Sequence, residues 1–155
     1  MNTKYTSGNF LKMTLLFSLM MSFHSINATE YFLRAVTSGT RNWNDTATWS
    51  TVSSSSATNT GTFPQSGDTV VYEGSSTTAI TLNINSDAVC DAFTNQCSGD
   101  NSNVTITIAS GTTLTVNGDL HITGIANLTK SITLAGTGTL VVTGDINIGT
   151  AGITA

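Results

Sequence analysis

An apolar–polar pattern that recurs at a fixed interval constrains the fold of this chain more than any other feature. The segment TITIASGTTLTVNGDLHI (Thr105 to Ile122) aligns without a gap on SITLAGTGTLVVTGDINI (Ser131 to Ile148). The same interval places Ile106 on Ile132 and Leu114 on Leu140. A repeat of constant length that keeps its alternation in phase is typical of solenoid coils, because each coil buries its apolar row only by stacking on the next.

Within the repeat, apolar and polar residues alternate as they do in half-buried strands. Gly111 and Gly118 punctuate the run, as turns require. One predicted face consists of Ile106, Ile108, Leu114, Val116, Leu120 and Ile122, and the opposite face of Thr105, Thr107, Thr113, Thr115, Asp119 and His121.

A degenerate earlier coil precedes these two. Ile80 and Leu82 lie one repeat interval before Ile106 and Ile108, and Ala88 and Cys90 take the places of Leu114 and Val116. At the same spacing Thr94 and Gln96 break the pattern. The sequence therefore predicts an all-β fold, a parallel β-helix or related β-solenoid over residues 73–155. An antiparallel sandwich of hairpins also alternates and remains the competing architecture.

Residues 1–28 have the order of a secretory signal peptide. Lys4 and Lys12 precede a short apolar run, Met13 to Phe23, which is followed by a small-residue site ending at Ala28. A run this short does not span a bilayer, since a membrane helix needs about 20 residues. We expect cleavage after Ala28, a secreted or cell-surface location, and no membrane insertion once the leader is removed.

Net charge excludes one class of partner. Beyond Ala28 the chain has nine acidic residues against Arg34, Arg41 and Lys130, a net charge of −6. An acidic surface repels phosphate backbones, so we expect no nucleic-acid partner.

Residues 29–72 are predicted to form an N-terminal cap and linker, because an open solenoid end exposes apolar core and strand edges. The cap candidates are the aromatic residues Tyr31, Phe32, Trp43 and Trp49. The competing hypothesis is a glycan-binding platform on which Trp43 and Trp49 stack against sugar rings.

Cys90 and Cys97 are the only cysteines. In an oxidising compartment a disulfide between them is one prediction. A buried Cys90 beside a free Cys97 is the other, and the spacing does not decide between them.

Three motifs resemble the start of many secreted surface proteins of Bacteroidota-type bacteria. They are Gly39-Thr40-Arg41-Asn42-Trp43-Asn44-Asp45, Thr48-Trp49-Ser50 and Phe63-Pro64-Gln65-Ser66-Gly67-Asp68-Thr69-Val70. The last part is also similar to the extracellular domain named for its eight glycines. The resemblance implies a parallel β-helix with an adhesin-like role, often exported by the type IX route. Such proteins usually carry a C-terminal sorting domain, which this sequence lacks, so we expect a truncated chain.

Asp119 and Asp145 are the pair most worth testing for chemistry. In stacked coils they would lie roughly 5 Å apart, a spacing compatible with a retaining glycosidase or with a Ca²⁺ bridge. Both follow glycine in a turn, where aspartate is common for conformational reasons. His121 is expected to be a solvated surface residue opposite Asn147. The sequence indicates no enzyme and no cofactor.

Outward threonines suggest one further surface. Thr105, Thr107, Thr113 and Thr115 are predicted to lie on flat strands, with Ser131, Thr133 and Thr139 extending their columns and Val141 interrupting one of them. Such an array could bind ice, although threonine also simply suits exposed strand positions. The leading expectation is a structural or adhesin-like module whose partner is an extracellular glycan or a cell-surface component.

Overall fold

Parallel strand pairing dominates this all-β protein. The computed structural model describes residues 27–35, 38–73, 79–96, 104–122, 131–148 and 152–154. These residues form fourteen strands, β1 to β14, and one 3-10 helix, Thr46–Thr48. The only antiparallel pair in the described part of the chain is β1 (Glu30–Leu33) with β3 (Trp49–Ser50). Most of the predicted signal peptide, residues 1–26, lies outside the described residues.

The strands belong to three sheets, here called A, B and C. Sheet A contains β1 (Glu30–Leu33), β3 (Trp49–Ser50), β4 (Thr69–Tyr72), β7 (Ala92–Asn95), β10 (Leu120–Ile122) and β13 (Ile146–Ile148). Sheet B contains β2 (Gly39–Asn42), β5 (Ile80–Ile84), β8 (Val104–Ile108), β11 (Ser131–Gly136) and β14 (Gly152–Thr154). Sheet C contains β6 (Ala88–Cys90), β9 (Thr113–Val116) and β12 (Thr139–Val142).

From β4 onward the chain adds one strand to each sheet in the order A, B, C, and then returns to sheet A beside its previous strand. Every pairing between successive passes is parallel. Hairpins of antiparallel strands would give the opposite polarity. The antiparallel sandwich is therefore wrong for this chain.

Sheet C has the register that the sequence repeat predicts. Leu114 pairs with Leu140, and Cys90 pairs with Val116. In sheet A the same interval joins Leu120 to Ile146. These predicted pairings are confirmed.

Sheet B departs from the predicted register by two residues. Ile106 pairs with Leu134 instead of Ile132, and Ile132 pairs with Val104. The cause is the corner that follows, since residues 109–112 separate β8 from β9 whereas only residues 137–138 separate β11 from β12. An even shift preserves the side-chain alternation, so the in–out pattern survives although the partners change.

The degenerate coil is likewise shifted. Leu82 pairs with Ile106, whereas the repeat predicted Ile108 as its partner. In sheet A, Leu120 pairs with Phe93, whereas the repeat interval placed Thr94 opposite Leu120. Phe93 is fully buried and takes the core position that the repeat interval assigned to Thr94. The apparent break at Thr94 and Gln96 therefore arises because the gapless alignment is wrong by one residue in this strand.

The apolar rows pack into one core between the sheets. Ile106, Ile108, Leu114, Val116 and Leu120 are all buried, as the alternation predicts, and belong to a single hydrophobic cluster. Burying each such side chain contributes about 1.5–3 kcal/mol. The intervening threonines on β8 and β9 are half-exposed. The side chain of Ile122 lies outside the described set.

One glycine in β11 is required by a close backbone approach. Gly136 has a φ of 92° and pairs with Ile108. A Cβ at this position would overlap the carbonyl oxygen of Ile108. Glycine is thus needed here for both its positive φ and its lack of a side chain.

Candidate functional site

Asp119 and Asp145 occupy the turns that lead into β10 and β13, which are adjacent strands of sheet A. The backbone N–H of Asp145 donates to Oδ1 of Asp119 over 2.8 Å, and the N–H of Leu120 donates to the backbone oxygen of Asp145 over 2.9 Å. The carboxylate of Asp119 thus links the turn before β10 to the turn before β13. This use of a turn aspartate is structural.

His121 links the same two strands. It pairs with Asn147 across β10 and β13, as the repeat predicts. Its Nε2 lies 2.7 Å from Nδ2 of Asn147 and 3.6 Å from Oδ2 of Asp119. The contact with Asn147 is a hydrogen bond between side chains of two adjacent strands. The histidine nitrogen that faces Asp119 is therefore engaged in a contact between strands.

These three side chains do not assemble a recognisable metal site. The part of the chain that the structure describes contains no group of three or more His, Cys, Asp or Glu side chains suited to a metal ion. Ca²⁺ requires six to eight oxygen ligands, whereas Oδ1 of Asp119 already accepts a backbone N–H. The geometry gives the hypothesis of a Ca²⁺ bridge no support.

Other turn aspartates make the same kind of bond, which the sequence did not reveal. Asp68 accepts from the N–H groups of Thr29 at 3.0 Å and Gln65 at 2.9 Å. Asp87 accepts from the N–H of Thr113 at 2.9 Å, and Asp91 accepts from that of Gly67 at 3.1 Å. The signal available in the sequence was an aspartate shortly before each of several strands. These carboxylates satisfy backbone donors at the corners, where the sheets offer no partner.

Trp43 and Trp49 are buried, being 2% and 0% exposed. Their ring centroids lie 5.0 Å apart in an edge-to-face contact, and Tyr31 packs edge-to-face on Trp49 at 6.3 Å. The Trp43 indole donates to the carbonyl of Pro64 over 3.3 Å, and the Trp49 indole to that of Trp43 over 2.7 Å. Neither ring offers a face to a sugar. This burial gives the glycan-binding platform on Trp43 and Trp49 no support.

The aromatic cluster lies where sheet A changes polarity. β3, which contains Trp49, pairs antiparallel with β1 at the edge of sheet A. The two indoles belong to the same buried cluster as Val70, Tyr72 and Ile80. The tryptophans thus extend the common core to the end strands of sheet A.

Cys90 is a free, fully buried thiol on β6. Burial, with the nearby carboxylates of Asp91 and Asp68, raises the pKa of the Cys90 thiol from 9.0 to about 12. A thiol with so high a pKa is a poor nucleophile at neutral pH, because the thiolate is the reactive form. Cys97 lies outside the described residues. Of the two predictions made for the cysteines, the state of Cys90 agrees with the one in which it is a buried thiol.

The outward face of sheet B carries a continuous column of threonines. Thr40 pairs with Thr81, Thr81 with Thr105, and Thr105 with Thr133. This column differs from the predicted one, in which Ser131 stood opposite Thr105. Sheet C is interrupted as expected, since Thr115 pairs with Val141.

Beside this column lies a second row of uncharged residues. Asn42 pairs with Asn83, Asn83 with Thr107, and Thr107 with Ala135. The predicted Thr107–Thr133 pairing is wrong, because of the two-residue shift of β11.

Among the described residues no helix has the length and apolar character of a membrane span. The whole chain was also compared with known proteins. No family of known proteins, no curated protein and no solved structure matches it.

Proposed function

We propose that the protein is an exported structural or adhesin-like module built as a β-solenoid, with no catalytic activity of its own. One observation carries this proposal. After β4 the chain visits sheets A, B and C in a constant order, and each strand lies parallel beside its predecessor in the same sheet. A chain that winds repeatedly past three sheets, with its apolar rows directed inward, is what a β-solenoid requires.

The polar contacts of the candidate residues support a structural role. The aspartates at the strand entries accept backbone N–H groups, and His121 bonds to Asn147 of the neighbouring strand. A general base needs a reacting group within hydrogen-bond reach, whereas these side chains contact backbone amides and an asparagine. Their chemistry serves the stacking of strands.

Export is supported by the sequence of residues 1–28 and by the resemblance to secreted surface proteins. A net charge of −6 beyond Ala28 suits a soluble surface that avoids anionic polymers. The aromatic residues proposed as the cap lie at the β1–β3 end of sheet A. The partner that we propose is an extracellular glycan or a cell-surface component, bound through a surface other than Trp43 and Trp49.

Export is tested by expressing the full chain in a Gram-negative host and sequencing the N-terminus of the protein recovered outside the cytoplasm. We expect a mature chain that begins at Thr29. A variant carrying both Leu15→Lys and Leu16→Lys should stay in the cytoplasm with its leader intact, because charge in the apolar run prevents recognition as a signal. Retention of the unaltered chain as a full-length cytoplasmic protein would contradict the proposal.

The adhesive role is tested separately with beads coated by the exported protein. We expect these beads to attach to cells or to glycan-coated surfaces more often than beads carrying the heat-unfolded chain. Equal attachment by the two preparations argues against adhesion. Hydrolysis of polysaccharide, ester or peptide substrates by the folded chain argues against a purely structural role.

A further inference from the structure

We propose that the outward face of sheet B is an ice-binding surface. This inference goes beyond the structural role proposed above and depends only on the register of sheet B. The surface is the threonine column of Thr40, Thr81, Thr105 and Thr133, with Asn83 and Thr107 in the adjacent row. Its ligand is the ordered water of an ice crystal.

The spacing of the column suits ordered water. Paired strands lie about 4.7–4.9 Å apart, so successive threonines repeat at that distance. Two oxygens hydrogen-bonded to the same tetrahedral water, with bonds of about 2.75 Å, are separated by about 4.5 Å. A single water can therefore bridge each pair of neighbouring hydroxyls, and a row of such waters continues along the column. The match extends over four strands, β2, β5, β8 and β11.

Threonine presents these hydroxyls in a constrained way. Its β-branched side chain is stiff at χ1, so little conformational entropy is lost when the array meets a lattice. The hydroxyl both donates and accepts, and the adjacent methyl group is apolar. The side chains of Thr81, Thr105 and Thr133 are half-exposed, and that of Thr40 is exposed. They can reach water without rearrangement of the strands.

The composition of the face favours ice over a carbohydrate. Among the outward positions of β5, β8 and β11 that the structure describes, the residues are Thr81, Asn83, Thr105, Thr107, Thr133 and Ala135. None of these six is charged or aromatic. A sugar-binding face usually contains an aromatic ring for stacking, and charged groups hold their own hydration shells against a crystal. The outward face of sheet B is thus an uncharged, regular grid of side chains, which suits the binding of water in register.

The test measures thermal hysteresis and the inhibition of ice recrystallisation by the exported full chain, compared with an unrelated acidic protein at equal concentration. The charged variant is Thr105→Lys, at the centre of the column. Its matched control is Thr115→Lys, which makes the same change on the outward side of β9 in sheet C. Thermal unfolding of each variant establishes that both retain the parent fold.

We expect the parent and Thr115→Lys to slow recrystallisation, and Thr105→Lys to lose most of that effect. Should Thr105→Lys unfold, Thr81→Lys on β5 makes the same test one strand away. A parent chain without either effect overturns the inference, as does equal loss in Thr105→Lys and Thr115→Lys. Binding of the parent to crystalline cellulose or chitin but not to ice would also overturn it. None of these outcomes bears on export or on the attachment of coated beads.

Discussion

Leu120 and Ile146 occupy paired positions on β10 and β13, yet Leu120 is 2% exposed and Ile146 is 53% exposed. Leu120 lies between Phe93 and Ile146 in sheet A. Ile146 has only one described strand beside it. The burial of an apolar residue in this fold therefore depends on neighbours in both adjacent strands, beyond its place in the repeat.

Truncating these two residues should have unequal effects. Leu120→Ala removes a side chain enclosed on both sides and should lower the free energy of unfolding by about 2–5 kcal/mol. Ile146→Ala, the matched control in the same column, should cost less than about 1 kcal/mol because its side chain is already half in water. Equilibrium denaturation with urea measures both. Equal costs would mean that Ile146 is as enclosed as Leu120.

The second prediction concerns the close approach of β11 to β8. Gly136→Ala should destabilise the protein by more than Gly111→Ala, although both positions have positive φ, 92° and 75°. A Cβ at Gly111 meets nothing within 4 Å, whereas a Cβ at Gly136 overlaps Ile108. Gly111→Ala should therefore cost only about 1 kcal/mol of backbone strain. Melting temperatures of the two variants provide the comparison, and a smaller loss in Gly136→Ala would contradict the register of β11.

The third prediction concerns alkaline stability. The buried Cys90 thiol has a pKa raised to about 12, so the unfolded chain releases this proton at lower pH than the folded chain does. The free energy of unfolding therefore keeps its full value below about pH 9 and falls as pH rises from there towards 12. The loss amounts to about 1.4 kcal/mol per pH unit. Urea unfolding at intervals of pH measures it.

Cys90→Ala is the control for this pH dependence. The variant should be less stable than the parent at pH 7 and should lose less stability between pH 9 and pH 12. If the free energy of unfolding fell equally with rising pH in parent and variant, Cys90 would ionise as readily in the folded chain as in the unfolded one.

The fourth prediction separates a structural aspartate from a metal ligand. Asp119→Ala should cost about 1 kcal/mol, because it leaves the N–H of Asp145 without its acceptor. Asp145→Ala, on the neighbouring exposed carboxylate, should change stability by less than about 0.5 kcal/mol. Addition of Ca²⁺ should leave the melting temperature of all three proteins unchanged. A rise in melting temperature that disappears in Asp145→Ala would instead establish a shared metal site.

The fifth prediction concerns the buried indoles. Acrylamide should quench the fluorescence of Trp43 and Trp49 weakly in the folded chain and strongly after unfolding in urea, since both rings are enclosed. Soluble glycans should not shift the emission maximum. If glycans shifted the emission maximum of the folded chain and left the quenching of the unfolded chain unchanged, the result would favour stacking of Trp43 and Trp49 on sugar rings.

The sequence predicted the alternation of side chains well and their partners less well. Ile106 and Leu114 are buried as expected, because period-two alternation depends only on the strand itself. The partner of Ile106 depends on the number of residues at each corner. The corner after β8 holds two more residues than the corner after β11, so a gapless alignment could not locate Leu134 opposite Ile106.

The candidate sites were harder to predict for a related reason. The sequence places Trp43 and Trp49 near the N-terminus but does not state whether a neighbouring segment covers them. Their burial depends on Tyr31 and the carbonyl of Pro64, which are distant in the chain. Similarly, the threonine column became visible only once the strand register was known.

Short-range distance measurements on sheet B test whether successive passes of the chain lie as neighbouring parallel strands. Three doubly labelled variants are made, each with two threonines changed to cysteine and spin-labelled. The labelled pairs are Thr81 and Thr105, Thr81 and Thr133, and Thr40 and Thr133. All three variants carry Cys97→Ser and retain the buried Cys90. We expect dipolar broadening that is strongest for the first pair and decreases in that order, because neighbouring strands lie about 4.8 Å apart. A Thr81 and Thr105 spectrum equal to the sum of the two single-label spectra would contradict the parallel stacking of the strands.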